Sequence, residues 1–258
     1  MLESRLGGVP KDPSSRSEVK SQQEISLVFA YYDNPQMLAL QWNHMSEYES
    51  RVQDRIEVII VDDASPHSAA AEVMRPAPLP HVSIYRVAKD IRWNQDAARN
   101  IGAHEARSRW LLLTDIDHVV PAETLSALID MEKDPSVFYT FGRIKLDGGG
   151  VREPHPNSYF MSKELYWSIG GHDEDFAGIY GKDFLFRKRA LKKSREMALP
   201  SLPLARVGST LILDAGTTGI SRANFLSARV WGYLLVWLKA AKLWRGIQTL
   251  QHAYRKVV

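Results

Sequence analysis

The chain has 258 residues, of which 45% are hydrophobic and 24% charged, and it contains no cysteine. These values describe a globular α/β-sized chain in a reducing, cytoplasmic setting; they exclude a disulfide scaffold and cysteine-ligated zinc. The net charge of +3 is uneven: Arg222, Arg229, Lys239, Lys242, Arg245, Arg255 and Lys256 follow Asp214 with no acidic residue among them, a pattern that suits an anionic partner.

Residues 1–23 are polar, with scattered Gly, Pro and Ser, and read as a flexible tail without an apolar leader. "ISLVFA" from Ile25 is a continuous apolar run with β-branched members, as in a strand covered on both faces. A helix is expected from about Pro35 to Arg51. Buried strands follow at "IEVIIV" (56–61) and "HVSIYRV" (81–87), then a helix at "NQDAARNIGAHEARS" and a strand at "WLLLTDID". This alternation predicts a mainly parallel sheet flanked by helices, with ligands beyond the carboxyl ends of the strands. Further on, a helix is expected over 121–134, a strand at "SVFYTFGRIKL", and a strand with a glycine-bearing loop at "RVGSTLILDAGTTG". Residues 222–258 read as one long basic amphipathic helix. At ~100° per residue, Val230, Trp237, Ala241 and Trp244 share one face, and Lys239, Lys242 and Gly246 roughly the opposite one. That composition suits either an anionic membrane surface or packing on the domain. Nucleic acid is disfavoured, because the cations are mixed with Trp, Leu and Val. No stretch reaches the ~20 apolar residues of a membrane span.

Three polar clusters stand at strand ends. In "TDIDH" (114–118), Asp115 and Asp117 are two residues apart and point the same way if the strand persists. Two close carboxylates repel unless a cation lies between them, and Mg2+ or Mn2+ takes such oxygen ligands together with substrate phosphates; a capped turn is the alternative. "VDDAS" (61–65) suits either an Asx-turn or contacts to a base and a ribose. "GGHDEDFAGIYGKDF" (170–184) gathers Asp173, Glu174, Asp175 and Asp183 among Phe176, Tyr180 and Phe184. A partly desolvated carboxylate there could act as a base; a solvated acidic loop is the plainer reading.

In this order and spacing, "ISLVFAYYDNP", "IEVIIVDDAS", "RWNQDAARNIGAHEARSRWLLLTDIDHVVP" and "SIGGHDEDFAGIYGKDFLFRKR" resemble the family-two glycosyltransferases of the GT-A fold, over roughly residues 24–195. "YFMSKELYWSIGGHDEDF" is also similar to the acceptor-side segment of the β-1,4-galactosyltransferases. The resemblance implies a GT-A domain over 24–221, a nucleotide-sugar donor, usually UDP-linked, and Mn2+ or Mg2+. It implies donor contacts from Ala30, Tyr32, Asp63, Arg99 and Asp115, a metal ligand in Asp117, and a general base in Asp183 for an inverting transfer to a saccharide or lipid-linked saccharide. Asp173, Glu174, Tyr180 and Lys182 would lie on the acceptor side. Two departures stand out. Lys182 occupies the place of the Glu that usually precedes the base, and the usual later His ligand is missing. Asp214 lies about where that ligand is expected, whereas His118, next along an extended strand, would point away from Asp117. A sugar nucleotidyltransferase is disfavoured, since "AYYDNP" lacks the phosphate-loop glycines. An inactive carbohydrate-binding module is disfavoured by the retention of Asp63, Asp115, Asp117 and Asp183. With a lipid-linked acceptor, the protein would sit peripherally at the inner face of the membrane.

Overall fold

The computed structural model describes residues 23–258 except 92, 147–148, 153, 180–181, 183, 209–210 and 213–221. Tyr180, Asp183 and Asp214 therefore lie outside the described residues, as does nearly all of the N-terminal tail. In chain order the elements are β1 (Ile25–Tyr31), α1 (Pro35–Ser46), α2 (Ser50–Gln53), β2 (Ile56–Asp62), β3 (His81–Val87), α3 (Gln95–Glu105), β4 (Trp110–Asp115), β5 (His118–Val119) and α4 (Ala122–Asp130). They continue with β6 (Val137–Lys145), β7 (Gly149–Arg152), β8 (Tyr159–Ser162), α5 (Lys163–Ile169), α6 (Phe184–Lys193), β9 (Arg195–Arg206), α7 (Arg222–Ala240) and β10 (Tyr254–Lys256).

The strands join one mixed sheet in the order β10-β3-β2-β1-β4-β8-β6-β9-β5, with β7 paired to β6. β3, β2, β1 and β4 run parallel, and β8 and β10 are antiparallel to their neighbours β4 and β3. Every residue of β2 is buried, as its unbroken apolar run requires of a strand covered on both faces. One core layer packs Phe29, Trp42, Ile60 and Leu112 beneath α1 and α4; the other packs Val28, Ile59, Ile101 and Leu113 beneath α3 and α5. Parallel register then brings three strand ends level: Ala30 pairs with Val61 on one side and with Asp115 on the other.

Two expectations are corrected. The strand expected at "RVGSTLILDAGTTG" lies mostly outside the described residues; the strand the structure shows here is β9, which ends at Arg206, and Val207, Gly208, Leu211 and Ile212 do not extend it. Its Pro200 and Pro203 and its mostly exposed side chains conceal it, but Pro is tolerated where a strand is bulged or near a sheet edge, and β9 shifts register against β6 between Phe141 and Arg143. The single helix expected over 222–258 ends at Ala240. Residues 241–253 run irregularly back across the molecule, with Lys242 and Leu250 at positive φ, and the chain then pairs with β3 as β10.

Carboxylates cause that ending. Lys239 Nζ lies 2.8 Å from Asp173 Oδ2 and 2.7 Å from Asp175 Oδ2, Arg245 also pairs with Asp175, and Trp244 Nε1 donates to Asp175 at 3.2 Å. Glu174, 3% exposed, accepts from the backbone N–H of Leu250 (2.6 Å) and Gln251 (2.8 Å) and from Asn100 Nδ2 (2.7 Å). A continued helix would keep Lys239 on Asp173 and Asp175 but would take Arg245 and Trp244 from Asp175 and both backbone N–H donors from buried Glu174. All three hydrogen-bond partners of Glu174 are donors, so Glu174→Gln turns an amide NH2 against an N–H. We expect a loss of about 1–3 kcal/mol in urea unfolding, with faster hydrogen exchange at the Leu250 and Gln251 amides than at those of β1. Unchanged exchange at those two amides would refute the clamp.

Candidate active site

The strand ends of β1, β2 and β4 carry the polar residues in a row. Asp62, the last residue of β2, is spent on structure: it accepts from the N–H of Ser65 (2.8 Å) and Ala70 (2.9 Å) and from Arg86 Nη1 (3.0 Å). This is the Asx-turn alternative, realised at the first Asp of the pair. Asp63 is different. It is buried, and Oδ2 accepts from the N–H of Asn94 at 3.2 Å, while Oδ1 has no hydrogen-bond partner among the described residues. The side-chain amide of Asn94 is likewise buried and unpartnered. Burial pushes the Asp63 carboxyl up to about 8, with the charges of Asp90 and Asp62 adding to it and the Asn94 N–H opposing. A buried acceptor without a donor costs free energy unless a ligand completes it. Tyr32 stands beside this corner, 37% exposed, with its hydroxyl donating to Asp90 Oδ2 at 3.2 Å; Ala30 is half-buried between β2 and β4.

Asp115 closes the end of β4. Arg99 and Gln95, one turn apart on α3, both donate to its Oδ1. Asn157 Nδ2 lies 3.5 Å and His155 Nε2 3.4 Å from Oδ2. Arg99 is only 2% exposed and also donates to Asn157 O at 2.9 Å. It therefore holds Asp115 and the 155–158 segment in place.

Strand geometry stops at Asp115, and the chain turns at Ile116–Asp117. For that reason His118 does not point away: its Nδ1 lies 2.7 Å from Asp117 Oδ1. Arg206 Nε, from β9, lies 3.5 Å from Asp117 Oδ2. Burial works against ionisation of Asp117, but the His118 hydrogen bond and the charges of His118, His155 and Arg206 hold it below the usual carboxylate range. His118 Nε2 is buried without a partner among the described residues, and its ring packs on His155 with centroids 4.3 Å apart. Burial lowers the His155 imidazole to about 4. Among the described residues no three His, Asp or Glu side chains already converge as a metal-holding group.

His155, Asn157, Gln95 and Asn94 were not foreseen. His155 and Asn157 arrive through pairing: β8 is antiparallel to β4 with Leu113 opposite Tyr159, so the residues before Tyr159 face those after Leu113. Thr114 and Ser158 hydroxyls meet at 2.7 Å. The local signal, "EPHPNS", has no periodicity from which that pairing could be read. On the acceptor side, Asp173 and Glu174 are brought together but are turned to the C-terminal segment, as described above. Lys182 is buried against α7.

A glycosyl transferase family 2 model matches residues 26–194, and the chain belongs to that family of glycosyltransferases. Its architecture is the GT-A fold. Staphylococcus aureus TarS 1–349 superimposes with a TM-score of 0.58 at 15% identity, covering 72% of this chain and 61% of that one. TarS 1–349 in complex with UDP-GlcNAc gives 0.60 at 15%, covering 80% and 64%. The mannosyltransferase PcManGT from Pyrobaculum calidifontis, in complex with GDP-Man and Mn2+, gives 0.55 at 18%, covering 72% and 56%. The chain thus spans about three-fifths of the length of these structures. No curated relative matches it in sequence.

The raised Asp63 carboxyl sets a pH dependence. Its folded pKa exceeds the unfolded one, so the native state binds this proton more tightly; the contribution is complete below pH ~4 and lost as pH rises through about 8. Asp63→Asn, neutral throughout, should be less stable than wild type by a margin that shrinks, or reverses, as pH climbs from 4 to 8. Parallel stability curves in urea would place the titration elsewhere.

Proposed function

We propose that the protein transfers a sugar from a nucleotide-sugar, with UDP as the favoured nucleotide, to a hydroxyl of a saccharide or lipid-linked saccharide, inverting the anomeric centre. The observation that carries this reading is the buried Asp63 Oδ1, without a hydrogen-bond partner among the described residues, beside the Asn94 amide and just beyond the end of β2, with β1 between it and Asp115 at the end of β4. A pyrimidine base offers an N–H and a carbonyl side by side, which match that carboxylate and amide. Family membership, and the donors UDP-GlcNAc and GDP-Man held by TarS and PcManGT, point the same way.

The donor types around Asp117 fit a divalent cation: a carboxylate kept ionised, bonded to His118 Nδ1, with the ring's other nitrogen, Nε2, without a partner among the described residues. Asp117, with His118 or Asp214 as a further ligand, would hold Mn2+ or Mg2+, which when bound neutralises charge on the departing diphosphate. Ala30 and Tyr32 flank the base. Asp115, fixed by Arg99 and Gln95, presents Oδ2 toward ribose or sugar. Asp183 accepts the acceptor hydroxyl's proton, a step that typically contributes ~100- to 10,000-fold. The local similarity of 159–176 to the acceptor segment of β-1,4-galactosyltransferases supports placing the acceptor against the 170–184 loop.

Calorimetry with UDP and Mn2+ tests the donor side, and transfer assays the base. Asp117→Ala should lose the metal-dependent part of UDP affinity, whereas Asp183→Asn should keep UDP affinity and lose transfer by ~100-fold or more. Wild-type protein that ignores UDP with and without Mn2+ would overturn the proposal.

The same enzyme is proposed to work at an anionic lipid surface. Gly232 and Leu235 of α7 face the domain, while Val230, Trp231, Leu234, Trp237, Leu243 and Trp244 are 41–64% exposed. Lys242 is exposed beside this apolar strip. Tryptophans rimmed by lysine suit the headgroup region of a bilayer; among the described residues no helix is long and apolar enough to cross one. Wild type should sediment with anionic liposomes and much less with neutral ones, and Leu234→Ser/Trp237→Ser should remain soluble and unbound. Equal binding by the double variant, or a stable dimer of the wild type that the variant abolishes without any lipid binding, would refute it.

A further inference from the structure

Lys182 is 6% exposed, in the segment between the 3-10 turn Glu174–Phe176 and α6. Buried ammonium groups lose their hydration and are ordinarily matched by a carboxylate. Here the nearby carboxylates are taken: Asp173 and Asp175 by Lys239, Asp175 also by Arg245, and Glu174 by backbone amides of the C-terminal segment. Among the described residues none pairs with Lys182. Its partner is the ring of Tyr233 on α7, whose centroid lies 3.6 Å from Nζ. A ring face replaces only a part of what an ion pair supplies. The surroundings are shaped to admit the lysine: at Gly232 a Cβ would come within 2.6 Å of both Lys182 Cε and Ile179 Cγ2.

A cation desolvated, seated on an aromatic face and, among the described residues, without a counter-charge is a half-built anion site. We propose that Lys182 receives an anionic group, a phosphate or a carboxylate, carried by the acceptor near the hydroxyl that reacts. The identification with the acceptor rests on the glycosyl-transfer reading; the anion site does not. Lys182 makes no bond to Asp63, Asp115 or Asp117 at the strand ends, and its neighbours Ile179, Gly232 and Tyr233 belong to the loop and to α7. The loop touches the donor corner four residues earlier, where Gly178 N–H donates to Trp93 O at 3.4 Å. The loop that carries Lys182 thus also borders the donor corner.

The test uses the full chain saturated with UDP, titrated calorimetrically with glycerol 3-phosphate, glucuronic acid and, as a neutral control, glycerol. Wild type should bind one or both anions and not glycerol; the preferred anion separates phosphate from carboxylate. Lys182→Met should weaken anion binding ~10- to 100-fold, the range for losing one hydrogen bond to a charged group, and Lys182→Arg should recover part of it. UDP affinity should stay the same in both variants. The melting temperature of Lys182→Met should equal or exceed that of wild type, since a buried unpaired charge is removed; a role confined to packing on Tyr233 would lower it. Wild type that binds neither anion, or a Met variant that binds them equally, overturns the proposal. So does a parallel fall in UDP affinity, which would put the lysine on the donor diphosphate. If wild type ignores UDP, the donor reading fails alone, and the same titrations without UDP still judge Lys182.

Discussion

The ion pair between Arg99 and Asp115 is the constraint on which the site depends. It joins three parts that no local interaction would align: α3, the end of β4, and the 155–158 segment whose carbonyl at Asn157 shares the same guanidinium. Arg99 is almost fully enclosed while Asp115 keeps about a quarter of its side chain in solvent. An enclosed guanidinium needs its counter-charge, since breaking such a pair costs roughly 3–5 kcal/mol. The carboxylate in turn is fixed at Oδ1 by Arg99 and Gln95, while Oδ2 has only the longer contacts to Asn157 and His155. Arg suits this role because its planar fork satisfies a carboxylate and a carbonyl at once, which the point charge of a lysine would not. The cost of burying the charge thus becomes orientation at the site.

The acidic run at 173–175 shows charge used in the opposite way. There the carboxylates face inward along the surface of the domain and organise chain from far downstream: Lys239, Arg245 and the amides at 250–251 converge on them. The basic excess after Asp214 is therefore partly internal. Lys239 and Arg245 neutralise the molecule's own carboxylates, and the β10 residues Arg255 and Lys256 lie along β3. What remains to meet an outside partner is smaller in charge and larger in apolar area than the sequence suggests.

This contrast marks how far the sequence could be read. β1, β2 and β4 were legible because strands covered on both faces must be apolar throughout, and the Asp residues ending them are conspicuous for that reason. Asp63, Asp115 and Asp117 stand out in the sequence on that ground, and the structure sets them at or just past those strand ends. The i, i+4 relation of Gln95 and Arg99 is visible on a helix, whereas the carboxylate they share, Asp115, lies across the sheet. His118 was misdirected by assuming that strand alternation persists past Asp115. β9 was hidden by two prolines, and His155 by a register fixed only when β8 meets β4. In each miss the deciding contact is tertiary. The early end of α7 belongs with them, since nothing local to residues 241–253 outweighs helix propensity until Asp173, Glu174 and Asp175 are placed opposite.

The two faces of α7 complete the physical picture. A helix apolar on one stripe is satisfied by one partner; a helix apolar nearly all round requires two. Gly232, Leu235 and Lys239 face the domain, where Leu235 packs with Phe176 and Ile179 and Tyr233 covers Lys182. Val230, Leu234 and Trp237 face away from it. The inner stripe, Gly232, Leu235 and Lys239, fits against Phe176, Ile179, Lys182 and the carboxylates at 173 and 175, and the outer one consists of large apolar residues left exposed among the described residues. Any force that seats the outer stripe on a surface bears through one helix on Tyr233 and Lys182. On the proposed reading, contact with a lipid surface and the shape of the acceptor side would be coupled through α7.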